Sequence, residues 1–215
     1  MVDINSWLEI FSERLESTFP NRIWFIGLQG SYARGEAKET SDLDIVVIFD
    51  RLATNDLELY REMLNDIPER EKICGFVSGY NEIMNWETSE LFQFCHDTIP
   101  IKGSLEGVLA LVDDDAIRRA VRSGACSIYH ACVHNFLHER DSHILEGLYK
   151  SAAFVIQASY FMETRHYVAS HRELSEIAGN YDREILCPAH GLSFDELSAK
   201  LFVWAVRKIS DGKQE

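Results

Sequence analysis

Gly27-Leu28-Gln29-Gly30-Ser31-Tyr32-Ala33-Arg34-Gly35-Glu36-Ala37-Lys38-Glu39-Thr40-Ser41-Asp42-Leu43-Asp44-Ile45-Val46-Val47 is the stretch that decides how this chain folds. Before it stands the short apolar run Trp24 to Leu28, which reads as a buried strand ending at Gln29-Gly30. Gly30 lets the backbone turn where other residues resist. Ser31 then opens a short helix, expected over residues 31 to 36. Ten residues separate Ser31 from Asp42, and the run Ile45 to Phe49 follows. A continuous β-branched run of this kind reads as a central strand buried on both faces.

Asp42 and Asp44 are expected on that second strand. Alternate side chains of a strand share a face, so the two carboxylates point the same way. Close carboxylates repel, and a divalent cation removes the conflict; magnesium combines one or two carboxylates with substrate phosphates. The free N–H groups and the hydroxyl at Gly30-Ser31 suit an anion. Gly-Ser alone is common, and Asp-x-Asp alone more often marks a loop or a cap. The information lies in the order strand, Gly-Ser, ten residues, Ser-Asp-x-Asp, strand.

With these residues in view, the segment resembles the nucleotidyltransferase superfamily that shares its catalytic fold with DNA polymerase β, and in particular its small bacterial members, the antibiotic adenylyltransferases and the minimal nucleotidyltransferases. Gly30, Ser31, Arg34, Gly35, Ser41, Asp42 and Asp44 match the pattern G-S-x-A-R-G-x-A-x-x-x-S-D-L-D. Trp86 followed by Glu90-Leu91-Phe92-Gln93-Phe94 is similar to a stretch of the streptomycin/spectinomycin adenylyltransferases, and Leu148 to Glu176 looks like their C-terminal substrate-side bundle.

The resemblance implies transfer of a nucleoside monophosphate, AMP from ATP, to an acceptor hydroxyl with pyrophosphate leaving. It implies that Asp42 and Asp44 hold Mg2+, that Gly30 and Ser31 hold the β and γ phosphates, that Ser41 supports their turn, and that Arg34 has a structural or phosphate-side role. The family's third carboxylate belongs on the following strand, here Lys72 to Ser78, where the position falls near Cys74 and carries no acid. Asp97, entering the next expected strand at 98 to 102, is the leading substitute. Lys150, on a largely apolar helix, is a further nucleotide-binding candidate.

Composition narrows the partner. The chain has 215 residues, 46% of them hydrophobic, and a net charge of −14. Residues 1–110 carry 20 acids against 9 bases and residues 111–215 carry 15 against 12, a net −11 and −3. That balance argues against DNA or RNA, which require a basic surface, and favours a small acceptor; a cationic one such as an aminosugar would be drawn to acidic walls. No run reaches 18 apolar residues, so no membrane span is expected. The start of the chain lacks a signal-peptide pattern, which places the expected location in the cytoplasm. Five cysteines with no C-x-x-C pair read as reduced, mostly buried thiols.

The expected architecture is an α/β (α+β) N-terminal nucleotidyltransferase domain with a mixed sheet, residues 1–110, followed by a C-terminal α-helical bundle on the acceptor side, residues 111–215. Helices are expected at 4–18, 55–65, 87–95, 114–139, 142–164, 170–185 and 193–210, with a frayed tail at 211–215. His130, His134 and His138 recur every four residues, but no acidic third ligand makes them a metal site. Arg183 and His190 have the spacing of an R-x(4–6)-H ribonuclease motif, but Pro188 between them takes them off a common helix face. Of the aromatics Tyr160, Phe161, Tyr167 and Trp204, most are expected in the core and one or two at an acceptor pocket. Two alternatives remain open: an antitoxin-type nucleotidyltransferase acting on a partner protein, and a nucleotide-binding module that no longer turns over.

Overall fold

The computed structural model describes residues 2–211. The chain divides into two units, one of Met1–Glu87 with Phe94–Leu111 and the other of Thr88–Gln93 with Val112–Glu215.

The first unit is built on a four-stranded mixed sheet. Its strands are β1 (Ile23–Leu28), β2 (Leu43–Phe49), β3 (Ile73–Gly79) and β4 (Ile99–Lys102), in the order β3-β2-β1-β4. β1 pairs antiparallel with both β2 and β4, while β2 and β3 run parallel. The β-branched run of β2 is central, as its composition requires, and is buried from Ile45 to Phe49. One face of the sheet packs on α1 (Ile4–Thr18) and α3 (Thr54–Leu64). Trp7, Leu8, Phe11 and Leu15 from α1 meet Ile26, Leu28, Leu43, Ile45, Val47 and Phe49 from the sheet. These α1 residues recur at helical spacing, which is why one stripe of the helix is dry. Asp3 caps α1 by accepting from the Ser6 N–H.

The connections carry short helices: α2 (Gly30–Ala33), α4 (Tyr80–Met84), α5 (Thr88–His96) and α6 (Glu106–Leu109). α2 ends earlier than the expected 31–36, because Gly35 adopts φ +69° and turns the chain.

The second unit consists of helices: α7 (Asp114–His134), α8 (Ser142–Thr164), α9 (His171–Ile177), α10 (Asn180–Leu186) and α11 (Phe194–Asp211), together with Thr88–Gln93 of α5. Asp113 caps α7 through the Ala116 N–H at 2.7 Å, and Asp141 caps α8. Ser193 and Glu196 form a reciprocal capping box at the start of α11. Trp204, Leu201, Ala152, Ile156 and Leu174 centre the core.

Several expectations need correction. The helix expected at 114–139 is α-helical only to His134 and closes in a π turn, Asn135–Glu139. The expected 170–185 helix is two helices broken at Ala178-Gly179, where both residues are extended. The cysteines are free but not mostly buried: Cys74, Cys126 and Cys187 are exposed, and Cys132 alone is fully buried. Asp211 ends α11, and the rest of the tail, 212–215, lies outside the described residues. Among the described residues no helix is long and apolar enough to cross a membrane.

Candidate active site

The site begins where β1 stops. Gln29 donates its backbone N–H to Asp44 O at 2.8 Å, extending the β1–β2 ladder by one step beyond Leu28. Gly30 follows with φ +68°, a left-handed conformation that glycine adopts at no steric cost. A Cβ added to Gly30 would stand 1.9 Å from Asp44 Oδ2. The Gly-Ser turn is therefore packed directly on one carboxylate. Ser31 and Tyr32 lie in the first turn of α2, whose leading N–H groups have no carbonyl to bond within the helix.

Asp44 is the second residue of β2 and partly buried, while Asp42 is exposed and stands one residue before the strand, not on it. Leu43 between them points into the core and is fully buried, so the alternation continues through Asp42 and brings both carboxylates to the opposite face. Burial raises the pKa of Asp44 above the usual carboxylate value, and the charge of Asp42 raises it further; the guanidinium of Arg34 pulls it back down. Arg34 pairs with Glu36, Nε to Oε2 3.3 Å. Two carboxylates, one of them partly buried and burdened by the other's charge, could hold a divalent cation completed by phosphates. Among the described residues no group of three His, Cys, Asp or Glu side chains is arranged to hold a metal without such help.

Ser41 closes the turn that precedes Asp42. Its hydroxyl accepts from the Lys38 N–H at 2.8 Å while its own N–H donates to Lys38 O, which closes the loop leading into Asp42. The residue opposite Asp44 on β3 is now defined by register. Asp44 pairs with Cys74 across the parallel β2–β3 ladder, and Cys74 is exposed. Beyond it on the same face Phe76 meets Phe94 and the partly exposed Trp86, with ring centroids 5.0 and 5.4 Å apart.

Asp97 precedes β4, which borders β1 on the side away from β2. The turn holding it is tied to the Asp44 end of the sheet by Gln29, whose Nε2 donates to Thr98 Oγ1 at 2.6 Å and to Phe94 O at 3.2 Å. Sequence reasoning overlooked Gln29; its place between a strand and a glycine turn was the available signal. In the same turn burial lowers the pKa of His96, with Asp97 opposing the shift, and burial pushes the Cys95 thiol up to about 12.

The other candidates belong to the second unit. Lys150 is exposed on α8, within the second unit. His130, His134 and His138 are exposed on α7 and its π turn, with the last two rings 4.9 Å apart. Arg183 donates to the carbonyls of Ser175, Glu176 and Ala178, and so closes the C-terminal end of α9. Trp204 is fully buried and donates to Asp182, while Tyr160, Phe161 and Tyr167 pack on cores of the second unit.

Residues 8–105 match the nucleotidyltransferase domain family. The chain is 36% identical over 83 residues to a protein of Methanocaldococcus jannaschii named "Putative protein adenylyltransferase"; the alignment covers 35% of this chain and 77% of that one. Its fold is similar to that of the spectinomycin adenyltransferase AAD(9) from Enterococcus faecialis, solved with ATP and spectinomycin. The TM-score is 0.57 at 13% identity, over 95% of this chain and 98% of the other.

Proposed function

This chain belongs to the nucleotidyltransferase superfamily that shares its catalytic fold with DNA polymerase β, and from that premise we propose that it moves AMP from ATP to a hydroxyl of a small molecule. The observation that carries this reading is the packing of Gly30 on Asp44, with Asp42 beside it. A glycine turn suited to an anion and two carboxylates suited to a cation are thereby held together at one end of the sheet.

In the proposed reaction the acceptor oxygen attacks the α-phosphorus, the new O–P bond forms, and the bond to pyrophosphate breaks. Gly30 and Ser31 hold the β and γ phosphates, and Asp42 and Asp44 hold Mg2+. Bound magnesium would neutralise the developing charge on the phosphates. Asp97 is the proposed proton acceptor for the attacking hydroxyl. Rate comes mainly from orientation and charge stabilisation. The net −11 of residues 1–110 favours a cationic acceptor of aminoglycoside type, and the fold shared with an enzyme solved with spectinomycin agrees with this.

Pyrophosphate release with magnesium, each of the four ribonucleotides and a panel of aminoglycosides tests the proposal. Release should require ATP and an acceptor, and should vanish in Asp42→Asn and Asp44→Asn.

A protein acceptor is the second reading, favoured by the name of the archaeal relative. Labelled ATP offered to a lysate would then mark a protein band and leave the antibiotics unmodified. Cys74 beside Asp44 favours a third, a nucleotide-binding module without turnover. Tight magnesium–ATP binding with no pyrophosphate release on any acceptor would select it.

A further inference from the structure

Gln29 is the N-cap residue of α2, yet its side chain makes no capping hydrogen bond. Ser, Thr, Asp and Asn stabilise that position better, so the glutamine answers a different requirement. Its amide reaches the α5–β4 turn instead, at Thr98 Oγ1 and Phe94 O. Thr98 is only 6% exposed and donates its own hydroxyl to Phe94 O at 2.5 Å.

Two residues earlier on β1, Gly27 leaves the space that the Thr98 methyl fills. A Cβ there would stand 2.4 Å from Thr98 Cγ2. Residues 27 and 29 share one face of the strand. β1 thus receives both branches of a single threonine, the methyl over Gly27 and the hydroxyl under the Gln29 amide. The backbone of the same Gln29 bonds Asp44. One residue therefore joins the carboxylate-bearing strand to the turn that carries Asp97. Burial of the threonine does not explain the contact, because a buried hydroxyl needs one partner and Phe94 O already supplies it.

We propose that Gln29 is a positioning residue for the transfer step. Through Thr98 it fixes the Asp97 turn against the end of the sheet that carries Asp44, and so sets the spacing between the proposed proton acceptor and the carboxylate pair. This rests on the transferase reading above. The hydrogen bonds of the Gln29 amide go to Thr98 and Phe94, not to the nucleotide-side groups Gly30, Ser31, Asp42 and Asp44. Loss of the amide should therefore slow turnover and leave nucleotide binding intact.

The test compares Gln29→Leu, Thr98→Val and Thr98→Ser in the full chain. It reads fluorescent-ATP affinity with magnesium, kcat, acceptor KM, and hydrogen exchange. The leucine and valine variants should lose about 10- to 100-fold in kcat, the scale of a small misplacement, with nucleotide affinity unchanged. Exchange should quicken over residues 94–102 alone. Thr98→Ser, which keeps the hydroxyl, should recover most of the turnover lost in Thr98→Val. The double variant should be no worse than either single, because both remove one shared contact.

Unchanged kcat, an equal loss of nucleotide affinity and turnover, or a serine variant as damaged as the valine would each overturn the proposal while wild-type activity upholds the transferase. A wild type that binds ATP and turns over no acceptor sinks the transferase reading, and this inference with it.

Discussion

Asp44 sits over Gly30 so closely that a Cβ at residue 30 would lie 1.9 Å from its Oδ2 oxygen. Gly30 also holds φ +68°, so backbone and side-chain space both demand glycine. Gly30→Ala should cost about 1–2 kcal/mol from the left-handed backbone alone, read as a lower urea midpoint. The displaced carboxylate should abolish magnesium-dependent pyrophosphate release in whatever fraction remains folded. A variant with normal turnover would show that Asp44 can move aside, and would separate the turn from the chemistry.

Asp44→Asn carries a prediction of opposite sign for stability and for activity. The folded state raises the pKa of Asp44, first by burial and then through Asp42, so the folded protein binds its proton more tightly than the unfolded chain does. Stability then falls as pH rises from the unfolded value of 3.8 through the raised folded value, and the loss persists at neutral pH. Asp44→Asn should raise Tm in metal-free buffer at pH 7 while eliminating transfer. Magnesium should raise Tm in the wild type by mass action and leave the variant unmoved. A Tm lowered by the substitution in metal-free buffer would contradict the assignment.

Arg34 is the counterweight. Its charge lowers the pKa of Asp44 against burial and Asp42, and its Nε lies 3.3 Å from Glu36. Arg34→Met should let the Asp44 pKa climb further, so the acid limb of the pH–rate profile moves to higher pH. An acid limb that stays in place would mean that Arg34 acts on the phosphates or on Glu36 rather than on Asp44.

How much of this was legible depends on the range of the forces involved. β2 was readable because Ile45 to Phe49 is an unbroken apolar run, and α8 was readable because Asp141 and Arg165 bound an apolar periodic segment. Local chemistry set both. Asp42 fell just outside the strand and Ser41 on a neighbouring turn because a boundary depends on where the ladder to β3 stops, and spacing carries no record of that. The break at Ala178-Gly179 had a signal, a glycine, that helical periodicity outweighed. The Gln29–Thr98 bond joins residues 69 apart and was out of reach. So was the Asp44–Cys74 pairing as a register; sequence placed Cys74 near the third-carboxylate position, and only the parallel ladder puts it beside Asp44.

That pairing supplies the last prediction. Parallel partners present their side chains on the same face, so Cys74→Glu would set a third carboxylate beside Asp44 where a thiol now stands exposed. In metal-free buffer the added charge should repel Asp42 and Asp44 and lower Tm. Magnesium should more than restore it, because a third hard-oxygen ligand tightens the cation. With Asp97 as the proposed proton acceptor, kcat should stay unchanged; a rise of about 10²-fold, the scale of general-base help, would mean that no base is in place. A tighter metal with unchanged kcat would assign proton removal to a group already in place, and Asp97→Asn in the wild-type background would then be expected to lose the same factor. A glutamate that leaves both Tm and magnesium affinity untouched would mean the β3 side chain does not reach the carboxylate pair, and Cys74 would drop out of the site.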